Sequence, residues 1–205
     1  MIEIHHARRT RGFRVIWLCE ELSLPYRVVK VDMSPSFRSS PQWRSLSPTG
    51  KVPVMSDGDC TLYESGAMLQ LLLARYGKGR LEPIAGSAEH GTYLQWCWFA
   101  EATFARPLGE IVNHRRVFGD RAQAEMVEEM AERARLCAAA VDQALTGRTW
   151  LLGDDFSAAD VMMGYTLRIY RMLLDESLPG QVAGYFERLC ARPAYQATEQ
   201  ADNAA

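Results

Sequence analysis

Apolar and polar positions alternate at the start of the chain. Ile2, Ile4 and His6 fall on one side of an extended segment and Glu3 and His5 on the other, a period of two that predicts a strand. Over residues 13–22 the spacing changes to three and four, with Val15, Leu18, Cys19 and Leu22 on one side, which predicts a helix closed off by Pro25. Residues 26–31 read as a second strand. The next stretch, to Pro48, is rich in serine, arginine and proline and predicts at most a short helix around Gln42-Trp43-Arg44. Val52-Pro53-Val54 and residues 61–63 are predicted as short strands. Residues 65–76 form a helix with Ala67, Leu71 and Ala74 on one face and Met68 and Leu72 beside it.

Beyond Gly77-Lys78-Gly79-Arg80 and Pro83-Ile84-Ala85-Gly86-Ser87, a linker by composition, no strand pattern recurs. In residues 126–145, Val127, Met130, Ala134, Ala138, Val141 and Leu145 step by three or four, while Glu128, Glu129, Glu132, Arg133 and Arg135 face elsewhere. Ser157 and Asp160 have capping-box spacing, flanked by Phe156 and Val161 as a staple, and predict a buried helix through Leu174 with a structural role only. Pro179 and Pro193 are expected to open two last helices, and the tail after Gln200 to fray. The expected organisation is an α/β domain over residues 1–78, a linker over 79–88 and an all-α domain over 89–205.

With 205 residues, 48% hydrophobic positions and a net charge of −2, the composition is that of a globular protein with room for one large core or two modest ones. Arg8, Arg9, Arg11 and Arg14 form a local basic cluster, but Glu20 and Glu21 follow at once, which argues against a nucleic-acid partner. No apolar run reaches the roughly 18 residues of a membrane span, and no apolar leader opens the chain, so a cytoplasmic location without a membrane partner is expected. The five cysteines, Cys19, Cys60, Cys97, Cys137 and Cys190, are scattered, and neither they nor the four histidines have metal-ligand spacing; no metal is expected.

The chemistry concentrates in Ser47-Pro48-Thr49-Gly50-Lys51-Val52-Pro53-Val54 and in Glu64-Ser65-Gly66-Ala67. Pro53 cannot donate to a sheet ladder, so it starts a strand or lies at an edge, where the Val52 main chain can pair with an extended ligand. A serine at a helix start is a cap or an anion ligand. A carboxylate beside it meets a ligand ammonium. The two motifs at this spacing resemble the glutathione site of the cytosolic glutathione transferase superfamily. The resemblance implies a thioredoxin-like N-terminal domain, an all-α C-terminal domain and glutathione as co-substrate. Val52 and Pro53 would take the cysteinyl main chain, and Glu64 and Ser65 the γ-glutamyl group. Lys51 and Arg38 are candidates for the glycyl carboxylate.

A thiol with a pKa of about 8.5 is only a few per cent ionised at neutral pH, and lowering it by about two units takes roughly 2.7 kcal/mol. A hydrogen bond to a charged group supplies about 1.5–3 kcal/mol and a helix N-terminus about 0.3–1 kcal/mol, so one hydroxyl at the start of the first helix nearly suffices. Thr10, four residues before Arg14, stands where serine-type, bacterial-type family members carry their catalytic serine. Its hydroxyl either activates the thiol or caps the helix, and Arg11, Arg8 or Arg9 is the alternative source of stabilisation. The absence of a tyrosine before Tyr26 disfavours a tyrosine-type mechanism, and the position of Cys19 inside the helix a cysteine-type one.

The second substrate implied by the resemblance is a small hydrophobic electrophile, with Phe13, Phe104 and Leu108 as candidate pocket residues. The expected activity is thiol transfer in detoxification by a homodimer. A glutathione-dependent isomerase or dehalogenase would share the thiol site, and a non-catalytic binding or regulatory protein would keep only the fold.

Overall fold

The structure, a computed structural model, describes residues 1–205. The chain begins β1 (Ile2–His6), α1 (Gly12–Leu22), β2 (Tyr26–Lys30), α2 (Pro35–Ser39), α3 (Pro41–Leu46), β3 (Val54–Asp57), β4 (Cys60–Leu62) and α4 (Ser65–Leu72). The four strands form one sheet in the order β2-β1-β3-β4; β1 and β2 are parallel and the other neighbours antiparallel. This is the thioredoxin-like α/β arrangement implied by the strand and helix order.

The parallel pair needs a crossover, and α1 supplies it. Its apolar positions are so dense that Phe13, Val15, Ile16, Trp17, Leu18 and Cys19 are all buried. In α4, Met68, Leu69 and Leu72 are buried while Ala67 and Ala74 are exposed, because the larger side chains bring more apolar area to the sheet. The α4 helix runs on into a π-helical turn, Leu73–Gly77.

Helices α5 (Ala88–Trp98), α6 (Ala105–Phe118), α7 (Ala124–Ala144), α8 (Ala158–Leu174) and α9 (Gly180–Cys190) follow, with a π-helical turn at Phe99–Phe104 between α5 and α6. Around α8 the capping positions carry more than a cap. Asp160 is fully buried and accepts from the Leu151 N–H (3.0 Å), the Ser157 N–H (2.8 Å), the Ser157 hydroxyl (2.9 Å) and the Tyr185 hydroxyl (2.8 Å). One carboxylate thus ties the turn before α8 to α9.

The last helix, α10 (Pro193–Ala204), opens with Pro193 in its first turn as expected, but the tail beyond Gln200 is not frayed: it is helical through Ala204 and Asp202 is buried. Two compact units result, Leu81–Leu189 and Met1–Arg80 together with Cys190–Ala205. The end of the chain, Cys190–Ala205, packs with the α/β unit. Tyr195 stacks edge-on against Trp17 (4.9 Å) and Phe13 (5.3 Å), and Arg192 forms a two-pronged ion pair with Glu21 at 2.6 and 2.7 Å. No helix is long and apolar enough to cross a membrane.

Candidate functional site

The sheet register brings three separate stretches of the first unit to one end. His5, near the end of β1, lies opposite Val54, so Pro53 enters the sheet beside the loop that carries Thr10. Leu62, at the end of β4, lies opposite Met55, so the chain leaves β4 at that same end and Glu64 and Ser65 open α4 there. The Arg14 guanidinium, buried in the first turn of α1, donates to Ser65 Oγ at 3.4 Å and links the two helix starts. Glu64 is exposed with extended backbone, whereas Ser65 is buried at the head of the helix, where first-turn N–H groups and the helix dipole favour an anion.

The loop before Pro53 is braced from within. Ser47 Oγ donates to the Lys51 carbonyl at 2.8 Å and accepts from the Lys51 N–H at 3.0 Å. Arg38 Nε donates to the Gly50 carbonyl at 3.0 Å, and the Arg44 guanidinium to that of Pro48. Gly50 has a left-handed backbone (φ +66°), and a Cβ there would lie 2.6 Å from the Arg38 carbonyl oxygen, so both conformation and space require glycine. The Val52–Pro53 bond is cis. Val52 precedes β3, outside the ladder, and its N–H and C=O enter none of the main-chain hydrogen bonds that hold this loop. Lys51 is exposed, whereas Arg38 spends its Nε on the loop.

Thr10 is half-buried. Its hydroxyl donates to the Ala7 carbonyl at 2.7 Å and lies 3.2 Å from His6 Nδ1, and no side chain caps the start of α1. On its other edge the buried His6 ring places Nε2 2.9 Å from Asp202 Oδ1, and the same oxygen accepts the Arg9 N–H at 2.9 Å. A Cβ on Gly12 would lie 2.2 Å from His6 Nδ1. Neither His6 nor Asp202 was among the residues expected at the site. His6 was legible as an inward position of β1, and Asp202 shares a helical face with Tyr195 and Thr198; both of those are buried too.

Comparison with known proteins fits this geometry. Residues 12–82 match the family model described as the glutathione S-transferase N-terminal domain, and residues 104–193 match the glutathione S-transferase C-terminal domain. The chain belongs to the cytosolic glutathione transferase superfamily. Among its relatives, "Glutathione S-transferase 3" of Schizosaccharomyces pombe is 29% identical over 178 residues, covering 82% of this chain and 73% of that protein. "Disulfide-bond oxidoreductase YfcG" of Escherichia coli is 26% identical over 202 residues, covering 95% and 92%. The solved structure of the glutathione transferase URE2P8 from Phanerochaete chrysosporium with oxidized glutathione has a TM-score of 0.89 at 22% identity, covering 99% of this chain and 95% of that one. The first family model starts at residue 12, so the loop with Thr10 lies outside the matched region.

The residues expected to wall the second-substrate pocket are packed inside their own units. Phe13 is buried against Trp17 and Tyr195, Phe104 against Phe99 and Tyr170, and Leu108 is buried as well. All three side chains are buried in this structure. Cys19 is buried in α1, and burial first, then the Glu20 and Asp57 charges, pushes its thiol up to about 12, which makes it a poor nucleophile.

Proposed function

We propose that the chain is a glutathione transferase that holds the tripeptide at the end of its sheet and presents an ionised thiol to a hydrophobic electrophile. The observation that carries this reading is the convergence of the Val52 main chain, the Glu64–Ser65 helix start and Thr10 at one end of the sheet. Val52 N–H and C=O pair with the cysteinyl main chain as an added strand would. The γ-glutamyl carboxylate takes the Ser65 hydroxyl and the first-turn N–H groups of α4, and the γ-glutamyl ammonium meets Glu64. Lys51 is the cation for the glycyl carboxylate, and Arg38 supports it by holding the Gly50 loop. Thr10 donates its hydroxyl to the thiolate, for which it must release the Ala7 carbonyl. The reading includes a homodimer in the cytoplasm and needs no metal.

One observation favours a second reading, in which glutathione binds without turnover: the Thr10 hydroxyl already has the Ala7 carbonyl at 2.7 Å. Retention on immobilised glutathione tests the shared part. Turnover of an aromatic electrophile by the wild type and by Thr10→Ala separates the two. The transferase reading expects activity that falls on losing the hydroxyl; bound glutathione without turnover in the wild type establishes the binding protein, and no retention overturns both.

A further inference from the structure

The thiol of a bound glutathione must give its proton to something, and a hydroxyl that donates to the resulting anion does not take it. The first unit contains a candidate acceptor. A carboxylate can only accept, so an imidazole proton on His6 Nε2 faces Asp202 Oδ1 at 2.9 Å, and in the neutral ring Nδ1 is then the acceptor. Thr10 Oγ1 is 3.2 Å from that Nδ1 and 2.7 Å from the Ala7 carbonyl, which its proton must leave to reach the ring. The ring has no freedom to leave, because β1, the Asp202 contact and the close passage of Gly12 confine it, and both His6 and Asp202 are fully buried. Carboxylate, imidazole and hydroxyl thus stand in the order that hydrolytic triads use to set a tautomer and take a proton from a nucleophile.

Resting on the reading that glutathione binds here, we propose that Asp202, His6 and Thr10 form a relay that takes the thiol proton. As the glutathione S–H bond breaks, its proton passes to Thr10 Oγ1, and the hydroxyl proton of Thr10 passes to His6 Nδ1. The products are a thiolate that accepts a hydrogen bond from Thr10 and an imidazolium held between Thr10 Oγ1 and Asp202 Oδ1. Two protons shift, one is transferred net from sulfur to imidazole, the net charge is unchanged, and none leaves for solvent. Thr10 touches the sulfur; His6 acts through Thr10 and Asp202 through His6, so these two are positioning residues. The Asp202 carboxylate is itself placed by the Arg9 N–H, and its neighbour Asn203 accepts from Arg8 at 2.7 Å, so the end of α10 carries the relay to the loop after β1.

The relay is read by counting protons. Calorimetry in buffers of different ionisation enthalpy gives the protons released on binding, with S-methylglutathione as the ligand that has no thiol proton. Ultraviolet absorbance gives the thiolate formed. The wild type is expected to form thiolate while releasing no more protons with glutathione than with S-methylglutathione; one extra proton per thiolate overturns the relay. His6→Gln keeps a donor for Asp202 and removes the Nδ1 acceptor. It is expected to shift the bound-thiol titration to higher pH, to release a proton whenever thiolate forms, and to lower kcat/KM about 100-fold with glutathione affinity unchanged. Asp202→Asn is expected to lie between the two. A wild-type titration in His6→Gln reduces the cluster to a brace for α10 and overturns the relay while the function stands. Absence of glutathione binding by the wild type removes the functional reading itself, and the relay with it. Should His6→Gln fail to fold, the wild-type proton count alone decides.

Discussion

At the scale of single residues, Gly12 and Glu64 give the sharpest expectations. Gly12→Ala places a methyl group 2.2 Å from His6 Nδ1 inside a buried contact, so the ring or the start of α1 must shift. The expected loss is about 1–3 kcal/mol of stability, measured by denaturant unfolding. Glu64 is exposed and carries no fold burden, so Glu64→Gln should leave the unfolding midpoint in place and weaken glutathione about 10- to 100-fold in calorimetry, the worth of one charge-assisted contact. Both motifs of the candidate site were legible because each residue type has few other uses in that local setting: a proline at a strand start, a carboxylate and a hydroxyl at a helix start. Thr10 was legible as a position but not as an environment. Its neighbours His6 and Asp202 lie four residues before it and at the far end of the chain, and no local pattern joins them.

At the scale of elements, Asp160 holds the turn before α8 and, through the Tyr185 hydroxyl, α9. Asp160→Ala strands that hydroxyl and two main-chain N–H groups in a buried place, each at a cost of about 1–3 kcal/mol. A loss of several kcal/mol is therefore expected by urea denaturation, against about 0.5–2 kcal/mol for Ser157→Ala. If the two variants lost equal stability, the carboxylate would be a cap and no more. The capping-box spacing announced the helix, since the cap is local, but not the Tyr185 contact, which depends on how two helices pack. The same limit explains α4: periodicity located the helix, yet the sheet, not the sequence, chose Met68, Leu69 and Leu72 over Ala67 and Ala74.

At the scale of the whole molecule, acid is expected to destabilise the fold through carboxylates in both units. Burial alone would push the Asp57 carboxyl up, but hydrogen bonds from Arg75 and Tyr76 and the Arg75 charge outweigh it and hold the group below the usual range. Hydrogen bonds from Arg135, against a smaller opposing effect of burial, hold Glu176 low as well. A folded value below the unfolded one means that the stabilisation is fully present above about pH 4–5 and is lost as the pH falls through the lowered folded values. Unfolding midpoints in a descending pH series should drop there, and Asp57→Asn should flatten its share of the slope. The two-part architecture was readable from the switch between periods of two and of three to four. Membership of α10 was not, since its own pattern is that of any amphipathic helix and only packing against Trp17 and Phe13 assigns it. That assignment bears on biosynthesis. A ribosome must polymerise the entire intervening helical unit, roughly 5–20 s of elongation, before it delivers the helix that packs on Phe13 and Trp17, so a nascent chain carries the first domain without α10 for that interval.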